Sequence, residues 1–373
     1  MAGARPVLII LHGGTGHGEA ETMMARARVS AARDTATAAL AGGFGAVIMV
    51  TSAPRAFEPV PAGMLVDVDP PGEPFDYSAR LRGIVARYAI EKPAVMGSGA
   101  VPLLGASEFA LVCEQLEAGD ERLVTNNFYS ADLTAWTPGE AIERAGHFER
   151  DNVLPRRLRD EAGLAPVVLP RTTVTQFDLD TPSDLAVLAV TEGLPGELAA
   201  AVREPGIDTS RCRALMPLFC DPRAQVVVAG RVGSQAWQHL ERETACRVRM
   251  FSEERGLATA PAGHRARSAL GFLLEAVGVE GFFARMAELG DALVLDTRVV
   301  EAHMGVTPSR EDRFQSDLLN YERIADPFLR RFTEGAAKAP KPVLLGGHSL
   351  VAGGLMALID QSWRENDRRL GLA

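Results

Sequence analysis

Short apolar runs alternate with longer amphipathic or alanine-rich segments along the first half of the chain. Such runs are typical of buried strands, and the segments between them have the length of helices. Apolar strands separated by helices predict a mainly parallel sheet that is covered on both faces. The predicted strands lie at 7–11, 46–50, 64–68, 94–96 and 122–125 and within "APVVLP" and "VTQFDLD"; the predicted helices lie at 21–40, 76–90 and near 107–116, and follow Gly139, Asn152 and Thr181.

The helix after Thr181 has the strongest start signal in the sequence. Thr181 stands at the N-cap position, Pro182 at the first helical position and Asp184 at the third. A hydroxyl N-cap satisfies a backbone N–H group, and proline is tolerated at the first position because its missing N–H is not needed there. We therefore predict that a helix begins at Pro182.

The second half repeats the alternation after a segment rich in turn residues. Glycine, proline and serine cluster at both ends of 192–210, and a weak helix is predicted between them, so this segment is the candidate domain junction. Predicted strands follow at 225–229, 247–251, 292–296 and 342–345, each with a helical segment behind it. The pattern predicts two α/β/α domains, at 1–195 and 205–373.

The composition agrees with a protein of two α/β/α domains and argues against certain classes of partner. The chain has 373 residues, a net charge of −9 and 47% hydrophobic residues, which fits a two-domain globular protein. An acidic chain argues against nucleic acid and anionic membranes as main partners. No apolar run reaches the roughly 18 residues that span a bilayer, and no leader pattern opens the sequence, so a cytoplasmic location is expected. The scattered cysteines and histidines suggest neither disulfides nor a zinc site.

A glycine-rich turn follows the first predicted strand and opens the first predicted helix. Backbone N–H groups at such a turn are suited to phosphate oxygens. The Walker A pattern fails because Glu19 stands where lysine is required, and the Rossmann glycine spacing is absent. An esterase reading would use His12, Gly13 and Gly14 as an oxyanion loop and Ser349 as the nucleophile. It fails because Val351 replaces the required glycine and no histidine follows Ser349.

A fourth possibility accounts for more of the first half. The loop "HGGTGHG", the stretch "LAGGFGAVIMVTS" and the closing "DLDTPSDL" together resemble the nucleotidyltransferase superfamily with the GT-A-like, Rossmann-like fold, which includes molybdenum-cofactor, sugar-phosphate and phospholactate nucleotidyltransferases. The resemblance covers roughly 5–192. It implies that the loop wraps a nucleoside triphosphate and that a basic residue downstream contacts phosphate. The residues implied are Gly13, Gly14, Thr15 and Gly16 in the loop, Arg26 or Arg28 on the phosphates, and Ser98 and Gly99 after the fourth strand.

The chain departs from the family pattern at its metal site. Family members carry an aspartate that ligates Mg²⁺ at the place where this chain has Ala100. The resemblance then leaves Asp178 or Asp180 to hold Mg²⁺, or no metal at all. Two functions stay open: transfer of a nucleoside monophosphate from a nucleoside triphosphate to a small, anionic, phosphorylated acceptor, or a ligand-binding or regulatory protein on the same scaffold without catalysis.

Further polar residues follow predicted strands in the first half. Asn126 and Asn127 are predicted at the carboxyl edge of the sheet, where such sheets bind ligands; they suit a base or a sugar, and Asp132 suits a metal. The alternative is an asparagine-rich turn. Asp67 and Asp69 share a strand face and suit either a metal or a turn. Arg156, Arg157 and Arg159 suit an anionic acceptor or a solvated helix face.

The second half also places polar residues after its strands. A crevice for a phosphorylated or carboxylated ligand is one interpretation of this pattern. Separate structural roles, such as helix capping at Asp296, are the other. Ser234 is a possible N-cap. The residues concerned are Arg255, Asp296, Arg298, His303, His348 and Ser349.

Overall fold

The computed structural model describes residues 4–13, 16–70, 72, 74–203, 206–255 and 266–372. Its contacts divide the chain into two compact units. The described residues of unit 1 lie within 1–15, 25–178 and 195–198, and those of unit 2 lie within 16–24, 179–194 and 199–373. The helix that begins at Pro182 is therefore grouped with unit 2, whereas the sequence pattern placed it in the first domain.

Unit 1 is built on a seven-stranded sheet. Its strand order is β3-β2-β1-β4-β6-β5-β7. All neighbouring pairs are parallel except those of β6, which runs antiparallel to both β4 and β5. The strands are β1 (Val7–His12), β2 (Ala46–Thr51), β3 (Met64–Val68), β4 (Pro93–Gly97), β5 (Arg122–Thr125), β6 (Leu133–Thr137) and β7 (Ala165–Val168).

Alternating residues of these strands pack into two apolar clusters, one on each face of the sheet. Leu8 and Ile10 of β1 belong to one cluster and Ile9 to the other, as the two-residue period of a strand requires. Residues of α1 and α3 cover the first face, and residues of α2 and α4 cover the second. The predicted three-layer α/β/α class is confirmed. The helices of the first 201 residues, of which α6 is grouped with unit 2, are α1 (Glu19–Ala41), α2 (Tyr77–Arg87), α3 (Ala106–Glu117), α4 (Leu154–Asp160), α5 (Thr173–Gln176), α6 (Pro182–Val190) and α7 (Gly196–Ala201).

Two predictions for this sheet are wrong. "VTQFDLD" is not a strand: its first three residues belong to the short helix α5, where the hydroxyl of Thr175 donates to the Pro170 carbonyl and accepts from the Thr172 N–H group. Local side-chain bonds of this kind compete with strand pairing. The sequence pattern also missed β6. The seven residues between β5 and β6 are too few for a helical crossover, so the chain reverses instead.

Unit 2 contains a four-stranded, fully parallel sheet in the order β11-β10-β8-β9. Its strands are β8 (Gln225–Gly230), β9 (Arg247–Ser252), β10 (Ala292–Asp296) and β11 (Val343–Gly346), and all four were predicted. The helices α10 and α13 pack on one face, and α6 and α8 contact strands of the same sheet. The helices of this unit, besides α6, are α8 (Ser210–Phe219), α9 (Ser234–Glu243), α10 (Ala269–Leu289), α11 (Arg298–Met304), α12 (Arg310–Asp317), α13 (Pro327–Ala337) and α14 (Leu355–Leu370).

The predicted start of α6 is confirmed and proves to be anchored from elsewhere in unit 2. The carboxylate of Asp184 accepts hydrogen bonds from the N–H groups of Asp180 and Thr181, at 3.0 and 2.7 Å, and from the hydroxyl of Ser349 at 2.7 Å. Asp184 is fully buried without a cation beside it, so burial raises its pKa to about 7. By contrast, Ser234 is not an N-cap: α9 begins at Ser234, and Gly233 caps it.

None of the helices in the described ranges is long and apolar enough to span a bilayer.

Candidate functional site

The chain changes direction across the sheet of unit 1 at β1 and β4. From β1 it moves outward through β2 and β3, and it then returns to pair β4 with the other side of β1. The loops that leave β1 and β4 therefore diverge at their carboxyl ends. Open α/β sheets bind ligands in the crevice at such a switch point. His12 ends β1, and Ser98 follows β4, so these two residues border the candidate site.

His12 joins the two strand ends. Its Nδ1 lies 2.9 Å from the Ser98 hydroxyl, and its ring meets Phe57 edge-on with centroids 5.2 Å apart. Only 3% of His12 is exposed. Burial, with a contribution from the positive charge of Arg28, lowers the pKa of His12 to about 4. The imidazole is therefore neutral near pH 7, where it orients the Ser98 hydroxyl and supplies no charge.

The turn after β4 is tight and mostly buried. The Ser98 N–H donates to the Leu11 carbonyl and the Ala100 N–H to the Gly97 carbonyl. Ser98 and Gly99 are buried, and Ala100 packs in the apolar cluster that α1 and α3 cover. A methyl group thus fills the place where the family resemblance expects a metal-binding carboxylate.

The two arginines proposed as phosphate contacts have different surroundings. Arg26 is exposed, whereas Arg28 is half-buried and close enough to act on the charge of His12. Residues two positions apart on a helix point in widely different directions. Of the pair, Arg28 is the one that the structure brings toward the switch point.

The glycine loop is described only in part. Gly13 is exposed, with open space where a Cβ would stand, whereas Gly14 and Thr15 lie outside the described residues. Gly16 belongs to unit 2, where a Cβ would lie 2.3 Å from the Glu21 Cβ. Any side chain at position 16 would clash with Glu21, so steric crowding explains why this residue is glycine.

The first turn of α1 already binds an anion. The carboxylate of Glu311 accepts hydrogen bonds from the N–H groups of Ala20 and Glu21 at 3.1 and 2.9 Å, and all three residues belong to unit 2. Burial alone would raise the pKa of Glu311, but hydrogen bonds from Gln315, Glu21 and Ala20 outweigh it and lower the pKa. The glycine-rich turn predicts a bound anion at this place, and in the structure the anion is the carboxylate of a glutamate from α12.

The side chain of Asn126 makes hydrogen bonds within the protein at the carboxyl edge of the sheet. Its Nδ2 donates to the Asp132 carboxylate and the Thr175 carbonyl, and its Oδ1 accepts from the N–H groups of Asp132 and Leu133. The amide is fully buried, so we assign it to holding the loop after β5 rather than to a ligand. Asp132 is part of the same arrangement.

The residues after Asn126 are more open. Asn127 is half-buried, and its Oδ1 accepts from the Tyr129 N–H. Tyr129 is 71% exposed, and its ring meets Phe128 edge-on. The guanidinium of Arg159 lies over the Phe128 ring, 4.5 Å from its centroid. Asn127 therefore remains the better ligand candidate of the two asparagines.

The predicted metal ligands, Asp178 and Asp180, are not joined by a third ligating side chain among the described residues. Asp178 belongs to unit 1 and Asp180 to unit 2. The segment before Asp178 is tied to the edge of β5 through Thr175 and Asn126. Within the described ranges, no group of three or more carboxylate, imidazole or thiolate side chains could hold a metal ion. Mg²⁺ at nucleotide sites is held by one or two carboxylates together with waters and substrate phosphates, so Asp178 and Asp180 remain predicted ligands.

The other first-half candidates are paired within the protein. The buried Asp67 carboxylate accepts from Arg80, Arg87 and Tyr88, and Asp69 accepts from Arg80. This is an ion-pair network and not a metal site.

The three arginines of α4 that were candidates for binding an anionic acceptor differ in their contacts. Arg157 pairs with Glu161 and Arg159 with Asp160, while Arg156 is exposed.

In unit 2 the strand-end residues separate into two groups. Asp296, Arg298 and His348 lie together at the carboxyl edge, with Arg231, which the sequence analysis passed over. His303 lies elsewhere, where its Nδ1 accepts from the N–H of Ser268 at the start of α10. Ser349 donates to an aspartate and not to a histidine, so it has no catalytic base of the esterase type.

Comparisons with known proteins give weak structural likenesses. No protein-family model and no curated protein matches the chain. Among similar solved structures is a protein from Desulfovibrio desulfuricans G20 described as a nucleotide-diphospho-sugar transferase, with 14% identity, a TM-score of 0.40, and coverage of 54% of this chain and 97% of that one. A nucleotidyl transferase from Methanothermobacter has 14% identity, a TM-score of 0.36 and coverage of 46% and 91%. The bifunctional IspDF of Campylobacter jejuni has 9% identity, a TM-score of 0.34 and coverage of 46% and 51%.

Proposed function

We propose that unit 1 is a nucleotidyltransferase-like domain that binds the phosphates of a nucleoside triphosphate between the carboxyl ends of β1 and β4. The observation that carries this proposal is the switch point itself, bordered by Gly13, Ser98 and Gly99 and within electrostatic reach of Arg28. Backbone N–H groups, a hydroxyl and a guanidinium are the donors that phosphate oxygens use.

Each residue has a distinct part in this proposal. Arg28 supplies the positive charge, and Gly13 lets a phosphate approach the backbone closely. His12 stays neutral near pH 7 and directs the Ser98 hydroxyl. The first turn of α1 is not part of the proposed site, because Glu311 already occupies its N–H groups.

The reaction that we propose for this domain is transfer of a nucleoside monophosphate to a small phosphorylated acceptor. An acceptor oxygen would attack the α-phosphorus, forming a new P–O bond as the bond to the leaving pyrophosphate breaks. Asp178, held near the edge of β5, and the retained "DLDTPSDL" segment favour this activity. The buried methyl of Ala100, at the place of the expected carboxylate, favours the alternative, in which unit 1 binds the nucleotide without magnesium-dependent transfer.

Nucleotide binding is tested by thermal unfolding with ATP, GTP, CTP and UTP, each with and without Mg²⁺. A triphosphate at about 100 times its Kd should stabilise the protein by ~2.7 kcal/mol. Arg28→Gln should remove the shift, whereas Arg26→Gln, a matched change on the exposed side of α1, should preserve it. Absence of any shift in the native protein, or equal losses in both variants, would contradict the proposal.

A measurement of turnover distinguishes the transferase from a domain that binds the nucleotide without transfer. Pyrophosphate release is measured with each stabilising triphosphate and a panel of small phosphate monoesters. A shift that requires Mg²⁺, together with pyrophosphate release, would establish the transferase. A shift without Mg²⁺ and without release would establish nucleotide binding alone.

A further inference from the structure

Unit 2 has a switch point of its own, which the proposed function does not use. From β8 the chain moves outward to β9 and then returns to place β10 on the other side of β8. The loops after β8 and β10 therefore diverge, as they do at ligand-binding crevices of other open parallel sheets. Arg231 follows β8, and Asp296 ends β10.

These two residues form a closely fitted pair across the switch point. The Asp296 carboxylate accepts from Nε and Nη2 of Arg231 at 2.6 and 3.0 Å and from the Arg231 N–H at 3.2 Å. Asp296 is fully buried. Burial would raise its pKa, but the hydrogen bonds and charge of Arg231 outweigh this and lower it. Gly230, at φ +129°, permits the approach, because a Cβ there would lie 2.4 Å from the Asp296 Cβ.

The pairing sets the direction of the Arg231 guanidinium. Asp296 takes the edge formed by Nε and Nη2, which leaves the Nη1 side turned away from the carboxylate. No described residue makes a hydrogen bond with Nη1, and the side chain is 23% exposed. Asp296 thus holds a guanidinium with one donor edge open.

His348 brings a second unused polar atom to the same place. One ring N–H of His348 donates to the Arg231 carbonyl, and the ring is within electrostatic reach of Asp296 and Arg255. Because the neutral ring has a single proton, the other nitrogen, Nδ1, is an acceptor. The Nδ1 atom is buried and has no hydrogen-bond partner among the described residues. A buried polar atom without a partner is costly, so its presence at a switch point indicates a missing ligand. The turn that carries His348 is anchored by the hydrogen bond from Ser349 to Asp184.

Arg255 completes the cluster from the segment after β9. Its Nη1 lies 3.1 Å from the position that a Cβ would take on Gly233, so the guanidinium covers the glycine that caps α9. No side chain caps α9. Two guanidinium groups and an imidazole therefore face the crevice, while the Asp296 carboxylate is already satisfied.

We propose that the crevice between the carboxyl ends of β8 and β10 binds the phosphate group of a small molecule. A phosphate presents three oxygens in different directions, which matches donors on separate elements, whereas a carboxylate is satisfied by a single guanidinium. Arg231 and Arg255 contact the phosphate oxygens, and the Nδ1 lone pair of neutral His348 accepts a hydrogen bond from a hydroxyl of the ligand, which in inorganic phosphate is the P–OH group. The ligand is either inorganic phosphate or the phosphate end of a larger metabolite.

The test is calorimetric titration of the full chain with inorganic phosphate at constant ionic strength. Arg255→Gln should weaken the affinity by about tenfold, the effect of losing one charge-assisted hydrogen bond. The matched control is Arg249→Gln, an exposed arginine within β9, which should leave the affinity unchanged. Arg231 itself is not replaced, because its loss would leave the buried Asp296 without a partner.

A second variant tests whether the phosphate binds beside Gly233 and Arg255, and it leaves both arginines in place. Gly233→Asp places a carboxylate beside Arg255 at the cap of α9, where aspartate is a favourable residue. It should abolish phosphate binding while raising Tm. A native protein that binds no phosphate, or binding that survives both Arg255→Gln and Gly233→Asp, would overturn the proposal. The second result would place the phosphate elsewhere, for example in unit 1, and would leave the proposed function of that unit intact.

Discussion

Buried ionisable residues in this protein differ in charge state according to what lies beside them. Asp296 faces a guanidinium, and its pKa is lowered; Asp184 has hydrogen-bond donors but no cation, and its pKa rises to about 7. His12 has a cation nearby and little water, and its pKa falls to about 4. Burial disfavours the charged form in every case; at Asp296 the guanidinium outweighs it, whereas at Asp184 and His12 burial prevails.

The state of His12 predicts a specific pH dependence of stability. The unfolded chain takes up this proton near pH 6.5, but the folded protein does so only near pH 4. Between these values the unfolded state binds more protons, so the free energy of unfolding should fall by a few kcal/mol as the pH falls from 6.5 to 4. Urea unfolding at several pH values measures it. His12→Gln should flatten this part of the profile, and the exposed His17→Gln should not. Equal profiles for the two variants would refute the assignment.

At the level of elements, the sequence pattern predicted buried strands better than it predicted connections. Most strands of both sheets were predicted within two residues of their ends, because continuous apolar runs have few other uses in a chain of this composition. The strand β6 was missed because threonines interrupt its apolar run and because it follows a polar loop. The segment 174–180 was assigned to a strand because hydroxyl hydrogen bonds that favour a turn are not visible in apolar periodicity.

The candidate sites were predictable only as far as they follow strands. Gly13, Ser98 and His348 follow strands and were identified for that reason. Arg231 also follows a strand directly and was the available signal that went unused. Glu311 lies almost 300 residues from the turn it caps, and no local pattern indicates such a pairing.

Glu311 has a predictable effect on the start of α1. Its carboxylate satisfies two N–H groups at the positive end of the helix, where an anion is favourable. Glu311→Gln should therefore lower the free energy of unfolding by about 1 kcal/mol. Urea unfolding measures the change. The matched control is the exposed Glu322→Gln, and an equal loss in the control would show that the effect comes from net charge and not from this contact.

At the scale of the whole molecule, α6 determines where the second unit begins. The sequence pattern placed it at the end of the first domain, but its residues are grouped with unit 2. All but one of its nine residues are buried, and Ser183 and Asp184 make hydrogen bonds to Leu345 and Ser349 of the same unit. A fragment that begins at the predicted boundary, 205, would lose these contacts.

Comparison of two fragments tests this boundary. Burial of Leu185, Val187, Leu188 and Val190 contributes about 1.5–3 kcal/mol for each side chain, and a domain has only about 5–15 kcal/mol of net stability. The fragment 179–373 should therefore unfold cooperatively on heating, whereas 205–373 should show no cooperative transition and should bind a hydrophobic dye. Leu185→Ala in the longer fragment provides an intermediate case, with an expected loss of about 2–5 kcal/mol. Equal melting temperatures for the two fragments would return α6 to the first domain, because its burial would then contribute nothing to unit 2.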